Sequence, residues 1–275
     1  MDYQLLTDSV HVKKISEKDN VGNFVIEGLY TGYGPTIGNS LRRALLSSLP
    51  GTAITQVKIK GIDHEFSTLP GMAEDIVEFT INLKKVRFKF FAEEPQTLSL
   101  RIKGEHEVKA GDIKGTAFVE IVNPDLHLAT LSKKNAELDM ELTVEKGLGY
   151  VPTEARKAER LPIGSIVLDA IFTPVVRVDF DVENTRVGER TDYNRVKMEI
   201  ETDGSITPSE ALHKAASILR HHFEKIYSAD ALAPKEKQKA IKDEDENEDK
   251  EEKKEDKKEE KEKKETKTKK TTKKK

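Results

Sequence analysis

Three short constellations in this 275-residue sequence have residue types and spacings that suit chemistry. Gly32, Gly34 and Gly38 follow a strand-like run and open a helix-like one, close to the glycine pattern that cradles a dinucleotide pyrophosphate. The third glycine comes one residue late, no strand–helix alternation follows, and no strand-end acid is present. A tight turn into a helix accounts for them. Asp179-Phe180-Asp181 has the look of a two-carboxylate metal motif. Alternation of Val176, Val178, Phe180 and Val182 toward the interior, however, puts both Asp side chains on the wet face of a strand with Arg177. Two carboxylates also give a divalent cation too few ligands. His221 and His222 are adjacent, so on a helix they diverge by about 100° and lack the i, i+4 spacing of a zinc pair. No Gly-Lys-Ser/Thr phosphate loop and no Gly-x-Ser-x-Gly elbow occurs. The chain has no cysteine, which excludes disulfides, thiolate metal sites and a cysteine nucleophile. The residues thus offer no catalytic group, no metal site and no cofactor.

What remains is a helix whose faces are unusual. Gly32–Pro50 begins in glycine-rich punctuation and continues at about 100° per residue with Ile37, Leu41, Ala44, Leu45, Ser48 and Leu49 on one broad side. Asn39, Ser40, Arg43 and Ser47 share another side, and Arg42 and Leu46 fall between. A surface helix ordinarily has a solvated back rich in Lys and Glu. This one has no acidic residue, and its polar side consists of small groups around an arginine, a face suited to being covered by another molecule.

The elements around it read as a strand-rich chain. Strands are expected at Ser9–Ile15, Gly22–Tyr30 and Ala53–Lys60, with the first helix between the last two. Met72, Ile76, Phe79 and Leu83 form one stripe and predict a second helix over Ser67–Leu83. Shorter strands are expected at Val86–Phe91, Leu98–Lys103, Thr116–Val122 and Leu126–Thr130. Ala136–Lys146 alternates most cleanly and predicts a half-solvated antiparallel strand. After a charged, turn-rich excursion over Gly147–Pro162, strands return at Ile166–Phe172, Val175–Val182 and Asn194–Thr202. An arginine-bearing loop, Glu183–Tyr193, separates the last two. Thr207-Pro208-Ser209-Glu210 is a capping box with proline at the first helical position. It announces a third helix with the stripe Leu212, Ala215, Ala216, Leu219, Phe223 and Ile226. The class expected is α+β.

Charge divides the chain. From Lys235 to Lys275 there are 18 Lys and 15 Asp or Glu, with no aromatic residue and Ile241 as the one large aliphatic. Such a composition cannot bury enough apolar surface to offset its ordering entropy, so a disordered tail is expected over 231–275. The remaining body carries a net charge of -6, which argues against a dedicated DNA-binding surface. The basic end, Lys263–Lys275, offers a second reading: weak, salt-dependent contact of the tail with nucleic-acid phosphates. No apolar run approaches a membrane span and the N-terminus has no signal-peptide pattern, which fits a cytoplasmic protein.

Residues 22–83 resemble the N-terminal domain of the bacterial RNA polymerase alpha subunit. The centre of that family's pattern is a Gly-aromatic-Gly turn, then Gly-Asn-x-Leu-Arg-Arg, then Leu-Leu-Ser-Ser. Gly32–Gly34, Gly38–Arg43 and Leu45–Ser48 supply it in order. The likeness continues at Gly149–Pro152, Pro162–Gly164, Ser165–Val176, Val182–Asp192 and Glu199–Ile218, and so covers most of residues 1–230.

The resemblance implies a non-catalytic scaffold in a DNA-transcribing nucleotidyltransferase, touching DNA at the level of the complex. Two copies would dimerise through roughly Pro35–Leu49 and Pro208–Tyr227, with Ile37, Leu41, Leu45, Leu49, Leu212, Ala215, Ala216, Leu219, Phe223 and Ile226 as contacts. The beta subunit would dock at Asn39, Arg42, Arg43 and Ser47, and beta-prime at Arg186, Arg190, Thr191 and Asp192. The implied fold has a discontinuous dimerisation part, 1–52 with 172–230, and an inserted, mostly-strand part, 53–171. Family members usually continue into a helical C-terminal domain that meets promoter DNA and activators. Here the Lys/Glu tail stands in its place, so those contacts are not expected by the usual route.

Overall fold

A computed structural model of the chain describes residues 8–156 and 164–229. In chain order the elements are β1 (His11–Lys18), β2 (Val21–Leu29), α1 (Tyr33–Ser47), β3 (Pro50–Ile59), α2 (Ile76–Leu83), β4 (Phe88–Phe90), β5 (Gln96–Lys103), β6 (His106–Lys109) and β7 (Val119–Ile121). There follow β8 (His127–Leu131), β9 (Glu137–Leu148), β10 (Tyr150–Val151), the single turn α3 (Thr153–Arg156), β11 (Ser165–Val167), β12 (Ala170–Ile171), β13 (Val175–Val187), β14 (Arg190–Thr202) and α4 (Pro208–Tyr227). The fold is α+β with antiparallel pairing throughout. No helix among the described residues is long and apolar enough to cross a membrane. The charged tail lies outside the described residues.

The chain divides into two compact units, one ending at Leu219 and the other beginning at Arg220, inside α4. The first unit holds two main cores. One lies on the sheet ordered β1-β2-β14-β13, whose inner face carries Phe24, Ile26, Val178, Val196, Met198 and Ile200. Leu41, Ala44, Leu45 and Leu49 from α1 and its exit, with Ala211 and Ala215 of α4, complete it. The other lies on the sheet ordered β11-β3-β9-β5. Leu138, Met140, Leu142 and Val144 of β9 point into it as their alternation requires, and Ile76, Phe79 and Leu83 of α2 cover them. The capping box of α4 forms as expected: Thr207 Oγ1 accepts from Glu210 N at 3.2 Å, and Glu210 Oε2 accepts from Thr207 N at 3.5 Å.

Four expectations are corrected. The second helix starts at Ile76, not Ser67, because Pro70 and the left-handed Gly71 (φ 95°) break the earlier part. Asp75 caps the shorter helix by accepting from Glu78 N at 2.7 Å, while Met72 bridges Leu131 instead of extending the stripe. The segment Glu183–Tyr193 is no loop: β13 and β14 continue through it and turn at Gly188–Glu189, with Val187 paired to Arg190. Val176 faces out, 59 % exposed, because a register shift between Val175 and Arg177 sends Val175 and Val178 inward. A short strand, β6, runs where none is expected and pairs with β8.

Candidate functional site

Two of the three glycines that imitate a dinucleotide fingerprint, Gly34 and Gly38, set the depth of α1. A Cβ at Gly34 would lie 2.5 Å from Val182 Cγ1, and one at Gly38 would lie 2.6 Å from two ring carbons of Phe180. Any side chain there would push the helix off its sheet. The start of α1 is fixed from the opposite end of the chain. Gly32 sits at φ 86° and has no side chain with which to cap the helix. Asn194, buried on β14, supplies the cap: its Oδ1 accepts from Gly32 N at 2.8 Å and Gly34 N at 3.3 Å. Its Nδ2 donates to Asn184 Oδ1 at 3.1 Å. At the other end Ser48 N donates to Ala44 O at 3.0 Å, and Thr173 Oγ1 donates to Leu46 O at 3.2 Å.

This anchoring decides which residues of α1 can meet a partner. Leu41, Leu45, Leu49 and, on α4, Ala215 are buried in the chain's own core, out of reach of a second chain in this conformation. The apolar stripe is needed to cover the sheet. Ile37, Leu212 and Leu219 are half-buried, while Ala216, Phe223 and Ile226 are exposed. The other arc of α1 is free: Asn39, Arg42, Arg43 and Ser47 are all exposed. Ser40 Oγ donates back to Thr36 O and Ser47 Oγ to Arg43 O, each at 2.7 Å. The small hydroxyls are thus folded onto the helix, and the two guanidinium groups stand above a low surface. Neither guanidinium group has a hydrogen-bonding or ion-pair partner among the described residues. Two exposed guanidinium groups on an acid-free helix are chemically suited to pairing with carboxylates.

The residues Arg186, Arg190, Thr191 and Asp192 gather at the tip of the β13–β14 hairpin and its return strand. Arg186 Nε donates to Gly188 O at 2.8 Å and braces the turn. Arg190 pairs with Asp192 through two hydrogen bonds of 3.0 and 2.7 Å. Its guanidinium lies 5.0 Å from the Tyr30 ring centre and 5.4 Å from that of Tyr193, and the two rings meet edge to face at 5.8 Å. Thr31 Oγ1 lies 2.7 Å from Asp192 Oδ2. The Arg190 guanidinium, and then the Thr31 hydroxyl, hold the Asp192 carboxyl down at about 2. Thr191 is exposed beside them.

The entry to α1 (Tyr30, Thr31, Gly32) and the start of β14 therefore form one block. Sequence reasoning missed Tyr30, Tyr193 and Asn194. Asn194 lies 162 residues from Gly32, and no local periodicity links such a pair.

The alternative chemistries find no support. Asp179 and Asp181 are exposed, as expected, beside a shallow concavity of about 730 Å³ on the open side of the first sheet. Arg195 and Lys197 line it too, and they pair with Glu27 at 3.0 Å and Glu183 at 2.6 Å. Among the described residues no group of three His, Asp or Glu side chains is arranged to hold a metal ion.

Residues 57–173 match the family described as the RNA polymerase Rpb3/RpoA insert domain. Over 223 residues the chain is 49% identical to the DNA-directed RNA polymerase subunit alpha of Alkaliphilus oremlandii, covering 81% of this chain and 70% of that protein. It is 51% identical over 210 residues to the like-named protein of Symbiobacterium thermophilum, covering 76% and 66%. To that of Oceanobacillus iheyensis it is 50% identical over 214 residues, covering 78% and 68%. The chain thus spans about two thirds of the length of these relatives.

Proposed function

The chain belongs to the bacterial DNA-directed RNA polymerase alpha-subunit family, and from that premise we propose that it is the non-catalytic platform on which such a polymerase is assembled. The observation that carries this reading is the exposed arc of α1. Two arginines whose guanidinium groups have no partner among the described residues stand on a helix that its own sheet, Asn194 and two packed glycines hold in place from beneath. The helix backbone that carries the arginines is already in place, so the ordering entropy that opposes docking is confined to the exposed side chains. Asn39, Arg42, Arg43 and Ser47 take the beta subunit, whose facing surface supplies carboxylates. The Arg190–Asp192 hairpin block, with Arg186 and Thr191, takes beta-prime.

Two copies pair through α1 and α4. The large apolar side chains exposed for this are Tyr33 on α1, 45 % exposed, and Phe223, Ile226 and Tyr227 on α4, 63, 57 and 83 % exposed. Isolated large apolar side chains are common on surfaces, but three within five residues of one helix mark a contact surface. Leu41, Leu45 and Leu49 act indirectly, by holding α1 to its sheet. Residues 1–52 with 172–230 form the dimerisation part and 53–171 the inserted part. The separation of the two main cores supports this division, since the one under α1 draws on no residue between Leu49 and Val175. Nucleotide addition and DNA contact belong to the assembled enzyme, in the cytoplasm, with the active site on other chains.

The test is recovery of the tagged full chain from its own cell, followed by identification of what accompanies it. The expected set is a second copy, beta and beta-prime. A chain that comes out alone, or with nucleic acid but no polymerase subunit, contradicts the proposal.

A further inference from the structure

Tyr150 and Ile171 form an outward-facing apolar pair that neither the cores nor the arginine face of α1 absorbs. They are directly opposed across the two-residue ribbon β10–β12, so both side chains leave the same face. Tyr150 is 59 % exposed and Ile171 46 %. The next pair of the ribbon, Val151 with Ala170, points the other way and packs with Ala53 and Phe172 in a small third core. Nothing about this ribbon is loose. A Cβ on Gly51 would lie 1.7 Å from the Phe172 carbonyl oxygen, and one on Gly147 would lie 2.7 Å from the Phe172 ring. Two glycines therefore let Phe172 pin the ribbon from below, while Phe172 N donates to Gly149 O at 2.8 Å.

Residues flanking the ribbon, one before β10 and one after β12, abut the last turn of α1. The Cβ position of Gly149 lies 3.8 Å from the Ser47 carbonyl oxygen, and Thr173 Oγ1 donates to Leu46 O at 3.2 Å. Tyr150 is one residue from the first contact and Ile171 two residues from the second. At about 3.3 Å per residue, both lie within one or two residue lengths of the turn that carries Ser47.

We propose that Tyr150 and Ile171 are the apolar half of the same docking surface whose polar half is Asn39, Arg42, Arg43 and Ser47, and that both halves are covered by the beta subunit. The inference rests on the reading of α1 given above. Its physical basis is the division of labour common in protein interfaces: a rigid tyrosine and a branched aliphatic supply the desolvated centre, and arginines beside them fix register. The facing surface of beta then combines carboxylates with an apolar side chain seated against the Tyr150 ring. The ribbon gives affinity and the arginines select the partner.

The experiment titrates the purified full-length dimer with isolated beta and compares Tyr150→Ala, Ile171→Ser and Arg43→Ala, each first checked for unchanged dimer mass and melting. Both ribbon variants should bind beta at least about tenfold more weakly, as expected for truncation at an interface centre. In parallel, a photo-crosslinking amino acid at position 150 in the assembled polymerase should yield a product with beta. Ribbon variants that bind beta like the unmodified chain, while Arg43→Ala is weakened, would overturn this inference and leave the α1 reading standing. If Arg43→Ala also binds normally, the α1 reading itself fails. A crosslink only to beta-prime, or only to a second copy of the chain, would overturn the assignment of the ribbon to beta.

Discussion

Replacing Asn194 by alanine should cost more stability than its single short side chain suggests. Asn194 lies on β14 and is 7 % exposed. Its oxygen accepts from the backbone N–H groups of Gly32 and Gly34, which fixes the orientation of the amide because both partners are donors. The two lost bonds are not equal. Gly32 is exposed and its N–H can turn to water, so its share resembles an ordinary lost helix cap, about 1 kcal/mol. Gly34 is buried under Val182 and Asn194, so its N–H is left without a partner at a cost of about 1–3 kcal/mol. Some relaxation at the site offsets part of the sum, and a net loss of about 2–3 kcal/mol is expected on the same scale. Asn194→Asp should fall between: it keeps an acceptor at a helix N-terminus, where negative charge is favoured, but loses the donor to Asn184. Urea unfolding of the full chain measures the stabilities, and amide exchange at Gly34 localises the change. An Asn194→Ala loss below about 0.5 kcal/mol, the scale of an ordinary surface substitution, would refute the argument that β14 caps α1.

Three further outcomes follow from the same geometry. Gly38→Ala should lower stability by up to about 2 kcal/mol, since overpacking against Phe180 costs about 1–3 kcal/mol and is offset in part by a helix-propensity gain of about 1. A rise in melting temperature would show that the helix–sheet contact is slack. Glu17 accepts from Lys14 Nζ at 2.8 Å, from Ser209 N at 3.0 Å and from Ser209 Oγ at 2.8 Å, and these partners hold its carboxyl at about 2, below the usual 4.5. A depressed folded-state value means that the stabilisation is full above pH 4.5 and is lost as pH falls toward 2. Glu17→Gln should therefore be the less stable protein at pH 7, with the gap closing over that window; a gap that persists below it would assign the effect to packing. Asp192→Asn should release Arg190 from its paired geometry and weaken capture of beta-prime while leaving the dimer and beta binding intact, measured by pull-down of each subunit.

The local grammar of the chain was legible where one element decides its own structure. The capping box at Thr207–Glu210, the alternation along β9 and the two-faced first helix all follow from residue order. The exposure of Asn39, Arg42, Arg43 and Ser47 was legible for the same reason, since a side with no apolar residue cannot serve a core. What the residue order hid depends on distant partners. The apolar stripe of α1 was expected to meet a second chain, whereas Leu41 and Leu45 are buried against the chain's own sheet, where Gly34 and Gly38 let α1 approach β13 and β14. The bulge at Val176 moves the first inward position from Val176 to Val175, and Pro174 just before it marks the start of the strand without revealing the bulge. Pro70 and Gly71 mark the break before α2 in the residue order itself, while Met72 extends the apolar spacing past the point where the helix begins. The hairpin over Glu183–Tyr193 was hidden by polar residues whose pairing is cross-strand. The role of Phe172 beneath the β10–β12 ribbon required the close approach of Gly51 and Gly147.

The central claim is that one helix has two separate duties, with its buried side holding the chain to its own sheet and its arginine side holding another subunit. Titration of the Arg43→Ala dimer with isolated beta tests this most directly. The account predicts an unchanged dimer and an unchanged melting temperature, because the Arg43 guanidinium has no partner among the described residues, together with at least tenfold weaker binding, about 1.4 kcal/mol. An Arg43→Ala dimer that binds beta as tightly as the unmodified protein would contradict it.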